Sequence, residues 1–110
     1  MIPNSARSNI SLKDQIMSSL DDRKAQDMVM LDLTNKTAIA DAMIVVTGTS
    51  QRHIVAMAEG LQRDLSGSVD YCRVEGLPHA DWVLLDFGDI IVHLFRQETR
   101  RFYELEKLWS

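Results

Sequence analysis

A chain of 110 residues, 45% hydrophobic and 25% charged, suffices for one domain with a conventional core and requires neither disulfides nor a metal to hold it. Its 12 basic and 16 acidic residues leave a formal charge of −4, which argues against wrapping a phosphate backbone and favours steering toward a basic protein surface. The lone cysteine, Cys72, excludes an internal disulfide, and no apolar run reaches membrane-spanning length, so a cytoplasmic protein without membrane contact is expected.

Residues 1–9 (MIPNSARSN) read as a polar lead-in without the apolar centre of a signal peptide, and the domain is expected over 10–110. Ser11 opens the first helix. Ser-x-x-Asp through Asp14 resembles a capping box, and Leu12, Ile16, Met17 and Leu20 follow at helical spacing. The helix fades in Asp21-Asp22-Arg23-Lys24. Met28 to Leu33 has the length of a strand, and Thr34 to Ala40 is a polar connection. Met43 to Thr47 is a second strand, apolar throughout and therefore central.

Gly48-Thr49-Ser50 ends that strand, and Thr49 or Ser50 caps a helix with Ile54, Met57, Ala58, Leu61 and Leu65 on one stripe. Gly67 is its expected stop. A third strand spans about Tyr71 to Val74, and Glu75-Gly76-Leu77-Pro78 is a loop.

Asp81 to Tyr103 organises the rest. Gly88-Asp89 suits a two-residue hairpin loop, because a leading Gly accepts positive φ. Counting outward pairs Phe87 with Ile90, Asp86 with Ile91, Leu85 with Val92, Leu84 with His93, Val83 with Leu94 and Trp82 with Phe95. Alternation then makes two faces. Val83, Leu85, Phe87, Ile90, Val92 and Leu94 form an apolar core face. Trp82, Leu84, Asp86, Ile91, His93 and Phe95 form a mixed face, either covered by another element or presented to a partner. A last helix from about Glu98 to Trp109 carries Glu98 at its positive end and Lys107 at its negative end. The order α-β-β-α-β-β-β-α indicates a single α/β domain with a mixed sheet of about five strands.

Few residues invite catalysis. The Gly48 turn is where a helix N-terminus can bind an anion, and a Gly-Ser pair there also opens nucleotidyltransferases. Such enzymes need paired carboxylates for two metal ions. Asp70 and Glu75 are five positions apart on opposite faces, and no Asp-x-Asp or glycine-rich phosphate loop occurs. A helix cap is favoured, with a nucleotide-binding or nucleotidyl-transferring enzyme as the alternative. His53, His79 and His93 lack ligand spacing, so no metal or other cofactor is expected. Ser50 near His53 has no orienting carboxylate, and no nucleophile elbow exists. Cys72, between Tyr71 and Arg73, reads as a small buried hydrophobe. Arg96, Arg100 and Arg101 read as a solvated helix face rather than a nucleic-acid patch. The mixed face with Trp82 remains, since Trp is the side chain most enriched at binding hot spots.

Trp82-Val83-Leu84-Leu85-Asp86-Phe87-Gly88-Asp89, Val92-His93-Leu94-Phe95, Glu98-Thr99-Arg100, Phe102-Tyr103, Leu105-Glu106 and Leu108-Trp109 closely resemble the ribosomal silencing factor family (RsfS, also called Iojap). Asp41, Ile44-Val45-Val46-Thr47-Gly48-Thr49-Ser50, Arg52-His53 and Val74-Glu75-Gly76 are similar to it as well. The resemblance runs from about Leu12 to Trp109. It implies a fold related to nucleotidyltransferases but without their catalytic carboxylates. It implies a non-enzymatic protein that binds large-subunit ribosomal protein fourteen, blocks joining of the small subunit and represses translation when nutrients are scarce. The family's interaction surface involves the Trp-containing strand, which here points to Trp82, Leu84, Asp86, Phe87, Asp89 and His93, with Asp86 or Asp89 pairing a basic partner side chain. Self-pairing of this face into a homodimer is compatible when no ribosome is present, and rRNA contact near Arg96 and Arg100 is secondary. Phe87 replaces a usual Tyr, Gln97 a usual Pro, and Ala42-Met43 a more aromatic pair, which removes one hydroxyl and weakens a helix start modestly.

Overall fold

The computed structural model describes residues 11–34, 40–77 and 79–98. Helix α1 (Leu12–Asp22) begins where Ser11 caps it, the hydroxyl accepting the Asp14 N–H at 3.1 Å. It ends in a Schellman motif: the Ala25 N–H donates to the Leu20 carbonyl at 3.0 Å and the Lys24 N–H to the Asp21 carbonyl at 2.9 Å. That motif puts Lys24 in the left-handed region at φ +62°, a conformation ordinarily taken by glycine. Lys24 is exposed, so its side chain contributes little packing in return. Lys24→Gly is therefore expected to stabilise the protein by about 0.5–1 kcal/mol, seen as a higher urea midpoint at unchanged slope. An unchanged or lower midpoint would count against strain at this cap.

Strand β1 (Gln26–Asp32) pairs antiparallel with β2 (Ala42–Gly48), and its register shifts between Gln26 and Val29 around Asp27, itself at φ +48°. Helix α2 (Gln51–Asp64) follows under the Ser50 cap, and Ile54, Met57, Ala58, Leu61 and Leu65 are all buried, as their spacing requires. The helix stops at Asp64 with Leu65 as its cap, ahead of Gly67, which is not left-handed. Three strands remain: β3 (Arg73–Glu75), β4 (Trp82–Asp86) and β5 (Ile90–Arg96). They complete a five-stranded mixed sheet in the order β1-β2-β5-β4-β3. The β2–β5 pair is parallel, from Ala42 opposite Ile90 to Gly48 opposite Arg96, and the other pairs are antiparallel.

The hairpin has the register its turn dictates, Trp82 opposite Phe95 through Asp86 opposite Ile91. Gly88 takes φ +94°, and the Phe87 N–H closes the loop on the Ile90 carbonyl at 3.0 Å. The Asp89 carbonyl accepts the Asp41 and Ala42 N–H groups at 2.8 and 3.2 Å, which seats the start of β2 beside β5.

Both helices pack on one face of the sheet. Their stripes meet Ile44, Val46, Val83, Leu85, Val92 and Leu94 in the main core. A clasp joins α1 to α2. Ser19 Oγ and Arg23 both donate to the Asp64 carboxylate at 2.8 Å, and the Ser19 bond, then Arg23, holds that carboxyl below its ordinary range. A second cluster on the opposite face gathers Leu33, Met43, Val45 and Phe95, with Leu31 and Trp82 against it. Every residue of β2 is buried, which explains its unbroken apolar run, although β5 holds the centre of the sheet.

The sequence expectations for the third strand fail in two respects. It is displaced from its expected span, Tyr71 to Val74, and takes in Glu75, which the sequence placed in a loop. Cys72 is exposed, because β3 begins one residue later, at Arg73, and the cysteine sits outside the ladder. The last helix, Arg100 and Arg101 fall outside the described residues, as do residues 35–39 of the polar connection.

Candidate functional site

The face of the sheet away from the helices is built by alternation. Trp82, Leu84 and Asp86 of β4 lie beside Ile91, His93 and Phe95 of β5. Arg73 and Glu75 join from β3, opposite Asp86 and Leu84.

An aromatic triad forms its centre. Trp82 stacks on Phe95 with centroids 4.9 Å apart and planes at 29°, and His93 lies over Phe95 at 5.9 Å and 15°. Trp82 Nε1–H donates to His93 Nδ1 at 2.9 Å. Indole nitrogen is only a donor, so Nδ1 must be the unprotonated nitrogen of a neutral ring, and the ring proton is assigned to Nε2. Burial acts in the same direction. His93 is 7% exposed, and desolvation pushes its pKa down to about 4.

Around this centre Trp82, Leu84, Ile91 and Asp86 are half-buried. Charges rim them. Arg73 lies 3.4 Å from Glu75 and 3.6 Å from Asp86, and Arg96 lies 3.1 Å from Asp81 and 3.4 Å from Glu98. Exposed pairs of this kind add little stability, so their charges can be re-paired at small cost. An apolar centre with a charged rim is the anatomy of a protein-binding surface.

Four residues expected to bind a partner share this face: Trp82, Leu84, Asp86 and His93. Two do not. Phe87 is 6% exposed and belongs to the helix-side core, and Asp89 lies in the exposed turn. Asp86 also serves the fold, its Oδ1 accepting the Gly88 N–H at 2.8 Å while Oδ2 faces Arg73. Ile91 was readable on this face from the hairpin count. Arg73 and Glu75 were not, although their alternation about Val74 carries the signal.

The Gly48 turn is occupied by its own chain. Ser50 Oγ accepts the His53 N–H at 3.0 Å, and the Thr49 N–H donates to His53 Nδ1 at 2.9 Å. His53 Nε2 in turn donates to the Arg23 carbonyl at 2.7 Å, bolting the turn to the end of α1. A methyl group on Gly48 would come within 2.6 Å of Ile54 Cγ1, so the turn is packed against α2. Glu75 lies on the open face at the end of β3, and Asp70 precedes that strand. Among the described residues no three His, Cys, Asp or Glu side chains converge as a metal site, and no helix is long and apolar enough to cross a membrane.

Comparison with known proteins gives a consistent result. A family model described as "Ribosomal silencing factor during starvation" matches residues 6–110. The ribosomal silencing factor RsfS of Zymomonas mobilis is 45% identical, over 98% of this chain and 86% of that protein. A crystal structure of a Chromobacterium violaceum protein superposes with a TM-score of 0.85 at 36% identity, covering 88% of this chain and 82% of that one. A mouse protein named "Mitochondrial assembly of ribosomal large subunit protein 1" is 35% identical over 88% of this chain and 44% of its own length.

Proposed function

Because the chain belongs to the ribosomal silencing factor family, we propose that it silences ribosomes by docking on the large subunit, through ribosomal protein fourteen, and sterically blocking the small subunit. Repression of translation under nutrient limitation, in the cytoplasm, follows from that occupancy and needs no catalysis. The observation that carries this reading is the Trp82 face: a stacked aromatic centre, half-exposed Trp82, Leu84 and Ile91, and a rim of both charge signs. The net charge of −4 supports steering toward a basic ribosomal protein, by raising the rate of encounter more than the affinity. The name of the mouse relative supports the large subunit as the side that is bound. In the free protein the same face is available for self-pairing into a homodimer, which would compete with docking.

The test is co-sedimentation with purified large and small ribosomal subunits, separately and mixed. Selective binding to large subunits, with fewer joined ribosomes, is expected. Trp82→Ala is expected to weaken that binding by about 2 kcal/mol, roughly thirtyfold. A folded Trp82→Ala protein that binds as tightly as the parent would remove this face from the interface.

A further inference from the structure

On the open face one cation stands between two anions. Arg73 of β3 is registered opposite Asp86, and Glu75 follows two residues on, so alternation brings all three side chains to the docking side of the sheet. The Arg73 guanidinium lies 3.6 Å from Asp86 Oδ2 and 3.4 Å from Glu75 Oε2, longer than the roughly 2.7–2.9 Å of charge-assisted hydrogen bonds. Arg73 is tightly bound to neither, and one arginine against two acids leaves the trio formally anionic. The two acids differ in surroundings. Asp86, opposite Ile91 at the border of the apolar centre, has a side chain 20% exposed, whereas that of Glu75 is 59% exposed. An opposite charge is worth more beside apolar surface than in open water, so Asp86 is the stronger anchor for a cation.

We propose that Arg73 is a specificity-determining residue of the docking face, a built-in competitor that occupies Asp86 until a lysine or arginine of the docked protein displaces it. The inference rests on the docking reading above and deepens it. On docking, the incoming cation takes Asp86 and Arg73 stays on Glu75, so one cation shared by two anions becomes two matched pairs. No charge is left unpaired, which is what the second carboxylate provides. A surface with no cation at this point gains nothing from Asp86, and a poorly placed cation does not compensate for the displaced Arg73. The arginine therefore lowers affinity and raises selectivity.

The sign of one substitution carries the test. Titrated against purified large ribosomal subunits at low salt, Arg73→Gln is expected to bind about three- to tenfold tighter than the parent, through faster association, with the gain shrinking as salt rises. Arg52→Gln removes the same charge from α2, on the far side of the sheet, and is expected to stay within about twofold of the parent. Asp86→Asn keeps an oxygen for the Gly88 N–H and is expected to bind about tenfold more weakly than the parent. Adding Arg73→Gln to Asp86→Asn should restore nothing. The urea midpoint of Arg73→Gln should match the parent's, since exposed ion pairs add little stability. Weaker or unchanged binding by Arg73→Gln overturns the proposal, and a lowered midpoint beside it would identify a structural role instead. An equal gain from Arg52→Gln, which would mean general steering by net charge, overturns it too, as does a gain that persists beside Asp86→Asn. A parent protein that binds neither subunit overturns the docking reading itself, which is a different result from a parent that binds and an Arg73→Gln that binds no better.

Discussion

Replacing Gly76 with alanine is expected to destabilise the protein by about 4 kcal/mol, through backbone strain together with steric overlap. Gly76 sits at φ +94°, outside the regions open to residues with a side chain. The added methyl group would also run into the main-chain carbonyl oxygen of Trp82. Main chain cannot rotate aside as a long side chain does. Relief requires moving the start of β4, where Trp82 is registered opposite Phe95. The loop has little freedom to give, since the Gly76 carbonyl accepts the His79 and Ala80 N–H groups at 3.2 and 2.8 Å. Urea unfolding checks the size of the effect. A loss below about 1 kcal/mol would mean that the loop relaxes and that this close approach carries little of the fold.

The second large effect concerns pH. Stability is expected to fall by about 3 kcal/mol between pH 7 and pH 4 on account of His93 alone, since one pKa unit corresponds to about 1.4 kcal/mol. Burial holds its imidazole at about 4 in the folded protein, against an ordinary value of 6.5. Between those values the unfolded chain takes up a proton that the native ring refuses, so acid favours unfolding. The contribution is complete above pH 6.5, declines through the window and is exhausted below pH 4. Protonation would also remove the acceptor of the Trp82 bond, so folded molecules gain nothing by relaxing in place. Asp64, held below the usual carboxylate range by Ser19 and Arg23, begins to weaken the fold only at the acid end of this window. The difference between the parent and His93→Gln, followed by urea unfolding at several pH values, isolates the histidine. Parallel profiles would show that His93 does not titrate between these limits.

Much of the architecture was legible because local chemistry specified it. Ser11 and the Thr49-Ser50 pair marked the starts of α1 and α2, and Gly88-Asp89 set the register of β4 on β5, from which the two faces follow by counting. The same count placed Trp82 diagonal to His93, so their proximity was readable. The bond between them was not, because it depends on side-chain rotamers. Strand β3 was displaced because a three-residue edge strand has no usable period, and the burial of Cys72 was misjudged with it. The left-handed conformations of Lys24 and Ala80 left no trace in residue type, since these side chains ordinarily avoid that region, whereas Asp27 is of a type that visits it more readily. Phe87 was counted onto the core face and also assigned to the partner surface by resemblance, and the structure puts it in the helix-side core.

The two outer strands have a consequence for recognition. At one edge β3 offers three residues, with Arg73 and Glu75 among them, and at the other β1 is broken by its bulge at Asp27. Among the described residues, one edge is only three residues long and the other is interrupted by a bulge, features that discourage edge-to-edge growth of the sheet. A partner that cannot add a strand must read side chains instead. The binding preference is then carried by residues such as Trp82, Leu84 and Ile91, whose exchange leaves the ladder intact, so the fold can hold still while the choice of partner evolves.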